Sequence, residues 1–185
     1  MAHIVCPWWL GYFLVSPVRR IWQDPHTILR PFVREGMIVL EPGCGMGFFT
    51  IELARLAGPH GRVIAVDLQP RMLSALRRRA RRAGVEARVE TRVASGDGLG
   101  IEDLAGKVDF ALAFALVHEI PDKRSFFDQV HRALKSGGKL LVAEPKGHVD
   151  EAGFAATTLK AERAGFRVAD SPAIRWSRTA VFERH

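Results

Sequence analysis

Short apolar runs alternate with stretches of helical periodicity along residues 37–182. The most constraining run is Val108–Ala115, in which Asp109 is the one polar residue. A nearly continuous apolar strand is typical of a sheet that helices cover on both faces. Strands that alternate with helices indicate parallel pairing between the strands. The sequence therefore predicts an α/β fold with a doubly wound, mostly parallel sheet.

Glycine and proline bound most of the predicted elements. The predicted strands are 37–40, 63–66, 87–93, 108–115, 139–143, 166–168 and 179–182. The predicted helices are 48–57, one that begins at Pro70 and ends near Gly84, 125–135 and 150–164. With 185 residues the chain is the size of one domain. We predict an N-terminal aromatic segment, 1–36, and a core, 37–185.

Three glycines at alternate positions follow the first predicted strand, in E-P-G-C-G-M-G at 41–47. Glycines let a ligand approach the backbone closely, and ligands of such sheets bind at the carboxyl ends of the strands. Dinucleotide-binding loops have a small residue where this chain has Phe48. The Glu41 carboxylate would also repel a pyrophosphate. The loop therefore favours a ligand with an ammonium or sulfonium group, S-adenosylmethionine (SAM), over NAD.

Two more carboxylates follow the next two predicted strands. Asp67 ends the second strand and can accept hydrogen bonds from ribose hydroxyls, and Asp97 follows the third strand and can accept from an adenine amino group. Each acid alone is also compatible with a turn or a helix cap. Their order at successive strand ends favours the nucleoside interpretation.

These motifs together resemble a known family. E-P-G-C-G-M-G at 41–47, V-D-L at 66–68, G-D-G at 96–98 and L-K-S-G-G-K-L at 134–140 resemble class I SAM-dependent methyltransferases. The similarity covers about Met37 to Glu183 and is greatest to the small-molecule group that includes quinone-biosynthesis C-methyltransferases. The resemblance implies a Rossmann-like sheet of seven strands with an antiparallel last strand. It also implies in-line displacement of the SAM methyl group by a small-molecule acceptor, with S-adenosylhomocysteine as product.

The resemblance further implies which residues hold the cofactor. Those for the methionine half are Glu41, Gly43, Gly45 and Met46; those for ribose and adenine are Asp67, Leu68, Asp97 and Gly98; Phe114 would face the cofactor. Many members of the family have aspartate at the position of Glu41. The extra methylene of Glu41 keeps the negative charge and changes the distance over which its carboxylate can form hydrogen bonds.

A candidate general base follows the fourth predicted strand. His118 can accept a proton near neutral pH, and the adjacent Glu119 could orient it. Glu144 and His148, after the fifth predicted strand, are further candidates for the same task. The alternative is that His118 only shapes the pocket.

Aromatic residues are concentrated in the N-terminal segment, at Trp8, Trp9, Tyr12, Phe13 and Trp22. The resemblance implies a lid that closes over the cofactor and forms the acceptor pocket. A structural helix on the sheet edge is one alternative. Interfacial membrane contact by the tryptophans, with Arg19 and Arg20 nearby, is another.

The unusual feature of composition is a net charge of +7. One predicted helix supplies five of these charges, from Arg77, Arg78, Arg79, Arg81 and Arg82. We expect Arg77, Arg78, Arg81 and Arg82 to point outward on a solvated helix face, away from the strand ends. A basic surface raises the alternative of a nucleic-acid methyltransferase.

The segment after the fourth predicted strand bears on that alternative. It reads F-A-L-V, whereas enzymes that methylate amino groups of bases have N/D-P-P-Y/F there and base-carbon methylases need a Pro-Cys. The sequence therefore favours a small-molecule acceptor over nucleic acid, and an NAD-binding Rossmann protein stays as a further alternative.

The two cysteines, Cys6 and Cys44, lie 38 residues apart and lack metal-ligand spacing. We predict no metal site and a reduced compartment. The apolar stretch Ile4–Val18 is too short to cross a bilayer and lacks preceding basic residues. The prediction is a cytoplasmic protein, and the sequence does not define its oligomeric state.

Overall fold

A computed structural model describes residues 19, 22–95 and 98–185. These residues form two compact units, one that ends at residue 95 and one that begins at residue 98. The helices are α1 (Pro25–Leu29), α2 (Thr50–Leu56), α3 (Pro70–Arg82), α4 (Lys123–Ala133) and α5 (Glu151–Arg163). The strands are β1 (Ile38–Pro42), β2 (Arg62–Asp67), β3 (Val89–Val93), β4 (Val108–Phe114), β5 (Leu134–Pro145), β6 (Phe166–Asp170) and β7 (Ser177–Arg184).

The first unit contains three parallel strands in the order β3-β2-β1. Val39 pairs with Val63 and Leu40 with Ile64, and all four side chains are fully buried. Burial of such β-branched and aliphatic side chains is the main source of stability for this part of the sheet. Because parallel strands end at one edge, this pairing brings the residues after β1 and β2 together.

Helix α3 shows how the basic segment is accommodated. Pro70 lies in its first turn, where the missing N–H leaves no hydrogen bond unmade. The buried residues of the helix are Met72, Leu73, Ala75, Leu76 and Ala80. Arg77, Arg78, Arg81 and Arg82 are exposed, as the sequence predicts, so the charge lies on the outer face of one amphipathic helix.

The second unit contains four strands in the order β4-β5-β7-β6. Strand β4 pairs with β5 in parallel, whereas β7 is antiparallel to both β5 and β6. Phe127 of α4 packs against Phe166 and Phe182, with ring centroids 6.3 and 6.2 Å away. The described residues thus form seven strands in a mostly parallel sheet with an antiparallel last strand, and the predicted fold class is confirmed.

The structure corrects the boundary between α4 and β5. The prediction ended the helix at Ser136–Gly138, but it ends at Ala133, and Leu134 is already extended and pairs with Val108. At the other end the helix begins at Lys123, because the Asp122 carboxylate accepts the Ser125 N–H at 3.0 Å and caps it. The glycines at 137 and 138 therefore lie inside the long strand β5.

Several predictions fall outside the described residues. They concern four aromatic residues of the N-terminal segment, Trp8, Trp9, Tyr12 and Phe13. Trp22 of the same segment is described, and its side chain is 42% exposed. The division into a 1–36 segment and a 37–185 core stays a prediction. Within the described residues, no helix has the length and apolar character needed to span a membrane.

Candidate active site

The glycine loop after β1 needs backbone conformations that other residues adopt only with strain. Gly45 has φ +53° and Gly47 has φ +82°. A Cβ on Gly47 would lie 2.2 Å from Leu76 Cδ1, so this glycine allows α3 to pack closely against the loop. A Cβ on Gly45 would meet none of the described residues within 4 Å, so among them the backbone there borders open space. That space fits a ligand lying against the loop.

Asp67, at the end of β2, fixes the loop. Its carboxylate accepts the Gly45 N–H at 2.9 Å and the Gln69 N–H at 2.8 Å, while Gly43 donates to the Val66 carbonyl at 2.8 Å. Burial raises the pKa of Asp67, and the two backbone N–H groups counteract this. Each carboxylate oxygen can accept a further hydrogen bond, so Asp67 can orient the loop and still bind ribose hydroxyls. The next side chain, Leu68, is 52% exposed, as a residue covered by an adenine would be in the free protein.

Glu41, in β1, is 4% exposed. Thr50 Oγ1 donates to its Oε2 at 2.5 Å and is its one hydrogen-bond donor among the described residues. Burial raises the pKa of Glu41 to about 8, and the neighbouring charge of Asp67 adds to this rise. The carboxyl is therefore largely protonated at neutral pH. A ligand ammonium group would supply the missing positive charge, which fits the methionine half of SAM.

Two arginines that the sequence reasoning did not assign to the loop contact it. Arg79 of α3 donates to the Met46 carbonyl. The Arg19 guanidinium lies 4.3 Å from the centroid of the Phe48 ring, and burial lowers its pKa to about 10. The position of Arg79 on the inner edge of α3 could be read from its helical spacing. The contact of Arg19 has no signal in the sequence.

The remaining predicted cofactor residues lie in the second unit. Gly98 and Phe114 are both half-buried. Gln129 of α4 accepts the Leu99 N–H at 2.8 Å, and its Oε1 would lie 3.0 Å from a Cβ on Gly98. A side chain at Gly98 would therefore press on the group that holds this segment. Asp97 falls outside the described residues.

His118 lies in a single helical turn, Val117–Glu119, that follows β4. Glu144 of β5 holds this turn, because its Oε1 accepts the Val117 N–H at 2.7 Å and its Oε2 is hydrogen-bonded to His118 Nδ1. Ala115 makes the bend into the turn with φ +53° and donates to the Ala143 carbonyl at 2.7 Å. A non-glycine residue in this conformation is strained, which is typical of functional sites.

Glu144, instead of the predicted Glu119, orients His118. Glu119 Oε1 lies 4.0 Å from His118 Nε2, beyond hydrogen-bond distance. Glu119 lies on the Nε2 side of the ring, whereas Glu144 reaches Nδ1 from the neighbouring strand. The hydrogen bond from Glu144, which is 1% exposed, raises the pKa of His118. Among the described residues no hydrogen bond occupies Nε2.

A cavity of about 470 Å³ adjoins this dyad. We call it the His118 cavity, and its lining residues are His118, Lys123, Glu144, Lys146, Gly147, His148, Val149, Asp150, Gly153 and Thr157. The rings of His118 and His148 are 5.4 Å apart between centroids. The volume is within the range of small-molecule sites. A titratable pair that borders such a cavity is typical of an active site.

Comparison with solved structures shows the same fold in two other proteins. A SAM-dependent methyltransferase from Aquifex aeolicus superposes with a TM-score of 0.85, at 23% identity, over 96% of this chain and 98% of that one. A methyltransferase of Methanococcus maripaludis, described as putative and SAM-dependent, gives 0.76 at 14% identity, over 96% and 90%. At these identities the likeness shows the fold. Fold, glycine loop and strand-end acids define a class I SAM-dependent methyltransferase.

The sequence comparisons identify the family. The model described as "Methyltransferase domain" matches residues 33–171, and the chain belongs to that family. Ubiquinone/menaquinone biosynthesis C-methyltransferases UbiE from Marinomonas sp. (strain MWYL1) and Pasteurella multocida (strain Pm70) are 33% and 34% identical over 127 residues. The match covers 69% of this chain and 49% and 46% of those proteins. The chain thus spans about half the length of the curated relatives it matches.

Proposed function

We propose that the protein transfers a methyl group from SAM to a small-molecule acceptor that His118 deprotonates. The observation that carries this proposal is the His118–Glu144 pair beside the His118 cavity. When bound, SAM supplies a methyl group on a sulfonium, which a nucleophile can displace. The remaining chemistry belongs to the chain: holding the two molecules and removing a proton.

Glu41, Gly43, Gly45 and Met46 hold the methionine half of the cofactor in this proposal, and Asp67 and Leu68 hold its nucleoside half. Two features of the described residues support it. The carboxyl of Glu41 is buried without a positive partner, and the backbone at Gly45 borders open space. Asp97, Gly98 and Phe114 complete the proposed cofactor set.

His118 acts as the general base. Nδ1 is hydrogen-bonded to Glu144, so Nε2 is the nitrogen that receives the proton. The buried carboxylate stabilises the imidazolium that forms, and it fixes the ring through the same hydrogen bond. Glu144 is a positioning residue in this scheme, and Glu119 is a second acid near Nε2.

The acceptor is of the phenol or quinol class. The curated relatives are named as C-methyltransferases of ubiquinone and menaquinone biosynthesis. A ring carbon ortho or para to a hydroxyl group becomes nucleophilic when that group loses its proton, because the electron pair of the broken O–H bond enters the ring. The carbon takes the methyl group, S-adenosylhomocysteine leaves, and the ring proton of that carbon is then lost while the hydroxyl oxygen regains one, which restores the aromatic ring. A base of this kind is what the His118–Glu144 pair provides.

We also place the protein in the cytoplasm. Cys44 is a free and buried thiol, which suits a reducing compartment.

The first test is binding followed by turnover. The protein is titrated calorimetrically with S-adenosylhomocysteine and, separately, with NAD. We expect saturable binding of S-adenosylhomocysteine alone. Incubation with methyl-labelled SAM and an extract of small metabolites should then label one of them. A parallel incubation contains cellular RNA and DNA in place of the metabolites. NAD binding without a response to S-adenosylhomocysteine would overturn the proposal, and so would label that appears only in RNA or DNA.

A further inference from the structure

The His118 cavity has a lining unlike that expected for a hydrocarbon ligand. Of its described lining residues, Val149 is the one with an apolar side chain. The others are glycines or carry hydroxyl, carboxylate, imidazole or ammonium groups. A prenyl chain would gain little from burial here, because the hydrophobic effect scales with the apolar area removed from water. The cavity therefore suits a polar part of a ligand.

The two carboxylates of the lining already have partners. Glu144 accepts the Val117 N–H and is bonded to His118. Asp150 caps α5, because its Oδ1 accepts the Gly153 N–H at 2.7 Å. Both acids keep their negative charge, and these hydrogen bonds to the protein hold them in place.

The two lysines of the lining have no ion-pair partner among the described residues. Within residues 19, 22–95 and 98–185 the Lys146 ammonium has no ion-pair partner, and its side chain is exposed. Lys123 donates to the Ile120 carbonyl at 3.1 Å, a neutral group. Burial lowers the pKa of Lys123, the charge of Lys160 lowers it further, and the charge of Glu144 raises it in part. An anion in the cavity would relieve both effects.

We propose that the methyl acceptor carries an oxyanion, a carboxylate or a phosphate, which Lys123 and Lys146 bind in the His118 cavity. The acceptor is then an aromatic acid or phosphate ester with its reacting hydroxyl near His118 and its anionic group at the lysines. Ammonium groups bind either oxyanion through charge-assisted hydrogen bonds. This inference rests on the proposed function, since it specifies the acceptor of that site.

The test uses three probes on the full chain saturated with S-adenosylhomocysteine. They are para-hydroxybenzoate, phenyl phosphate and the neutral para-hydroxybenzyl alcohol. Amide NMR signals of Gly147, His148 and Gly153 report occupancy of the cavity. We expect at least one anionic probe to shift these signals saturably and to bind at least about tenfold more tightly than the alcohol. The preferred anion distinguishes a carboxylate from a phosphate acceptor.

Variants locate the binding. The double variant Lys123→Met, Lys146→Met should bind the preferred anion at least about tenfold more weakly than the natural protein does. Lys139→Met is the matched control, because Lys139 is an exposed lysine of β5 outside the cavity lining. Equal binding of the alcohol and the anions, no binding of either anion, or unchanged anion binding by the double variant would overturn the inference. S-adenosylhomocysteine binding is measured first, and its absence would count against the proposed function instead.

Discussion

Two glutamates at strand ends show how one residue type can be used in opposite ways. Glu41 in β1 and Glu144 in β5 each precede a proline, and they are 4% and 1% exposed. Glu144 has a titratable partner within the protein, His118, and a backbone N–H besides. Glu41 has a neutral hydroxyl, Thr50, and its pKa rises to about 8. The two units thus contain a buried carboxylate that is hydrogen-bonded to a histidine and a buried carboxyl that lacks a counter-charge among the described residues.

Removal of the base should have the largest effect. We expect His118→Ala to lower the rate of methyl transfer by about 10²–10⁴-fold with unchanged affinity for S-adenosylhomocysteine, measured by calorimetry. The control is His60→Ala, an exposed histidine in the turn before β2. Unchanged turnover in His118→Ala would show that Glu144 orients a side chain that only shapes the cavity.

Glu144→Gln tests the positioning role next. The amide has one acceptor oxygen where the carboxylate uses two, and it carries no negative charge, so the rate should fall by on the order of 10- to 100-fold. The base must be unprotonated, and Glu144 raises the pKa of His118. The rising limb of the rate–pH profile should therefore lie above the ordinary pKa of histidine and move to lower pH in this variant. Glu119→Gln should leave the limb nearly in place; an equal shift in both variants would contradict the assignment.

Glu41→Gln should lower the rate of methyl transfer less than His118→Ala and Glu144→Gln do. It should also change the number of protons released when S-adenosylhomocysteine binds. Because the pKa of Glu41 is about 8, its carboxyl is protonated in the free protein at pH 7 and should ionise beside the ammonium group of S-adenosylhomocysteine. Calorimetry at pH 7 in buffers of different ionisation enthalpy should show release of nearly one proton (~0.9, from that pKa). The Glu41→Gln variant should release no proton and should bind S-adenosylhomocysteine about tenfold more weakly. Thr50 is available as a donor in both proteins.

The same residue makes a prediction for stability. The folded-state pKa of Glu41 lies above its unfolded value of 4.5, so the folded protein binds the extra proton between pH 4.5 and about 8. The contribution of Glu41 to the free energy of unfolding should fall as the pH rises through this window. Urea titrations should show that Glu41→Gln gains stability relative to the natural protein as the pH rises. A difference in the free energy of unfolding between variant and natural protein that is independent of pH would contradict the raised pKa of Glu41.

The smallest effect is expected at Arg79. Arg79→Met removes the donor to the Met46 carbonyl and should weaken S-adenosylhomocysteine binding by about two- to tenfold. Arg78→Met is the matched control on the exposed face of α3. Equal affinity of the two variants would show that the glycine loop holds its shape without Arg79.

The sequence predicted the strand order in the chain, the glycine loop and the outward face of α3, because these depend on local periodicity and turn chemistry. It did not predict the partner of His118. Glu119 is adjacent in the chain, and nothing in the residue types distinguishes it from Glu144, which lies 26 positions away. Only the pairing of β4 with β5 brings that carboxylate to Nδ1.

Arg79 and the end of α4 show the same limit. The cluster of five arginines looks uniform in sequence, but one of them lies at the margin of the helix face and reaches a carbonyl in the loop. Leu134 continues the helical pattern of α4, yet pairing with Val108 makes it extended. In both cases a tertiary contact overrides a local signal.

The placement of β7 has a consequence for synthesis on the ribosome. This strand pairs with β5 on one side and β6 on the other, although it comes after both in the chain. A nascent chain that has emerged only as far as Arg175 therefore has two strands with unpaired edges, which can pair with other chains. The three strands of the first unit need no later residue to pair with one another. We therefore expect nascent chains stalled before β7 to bind chaperones.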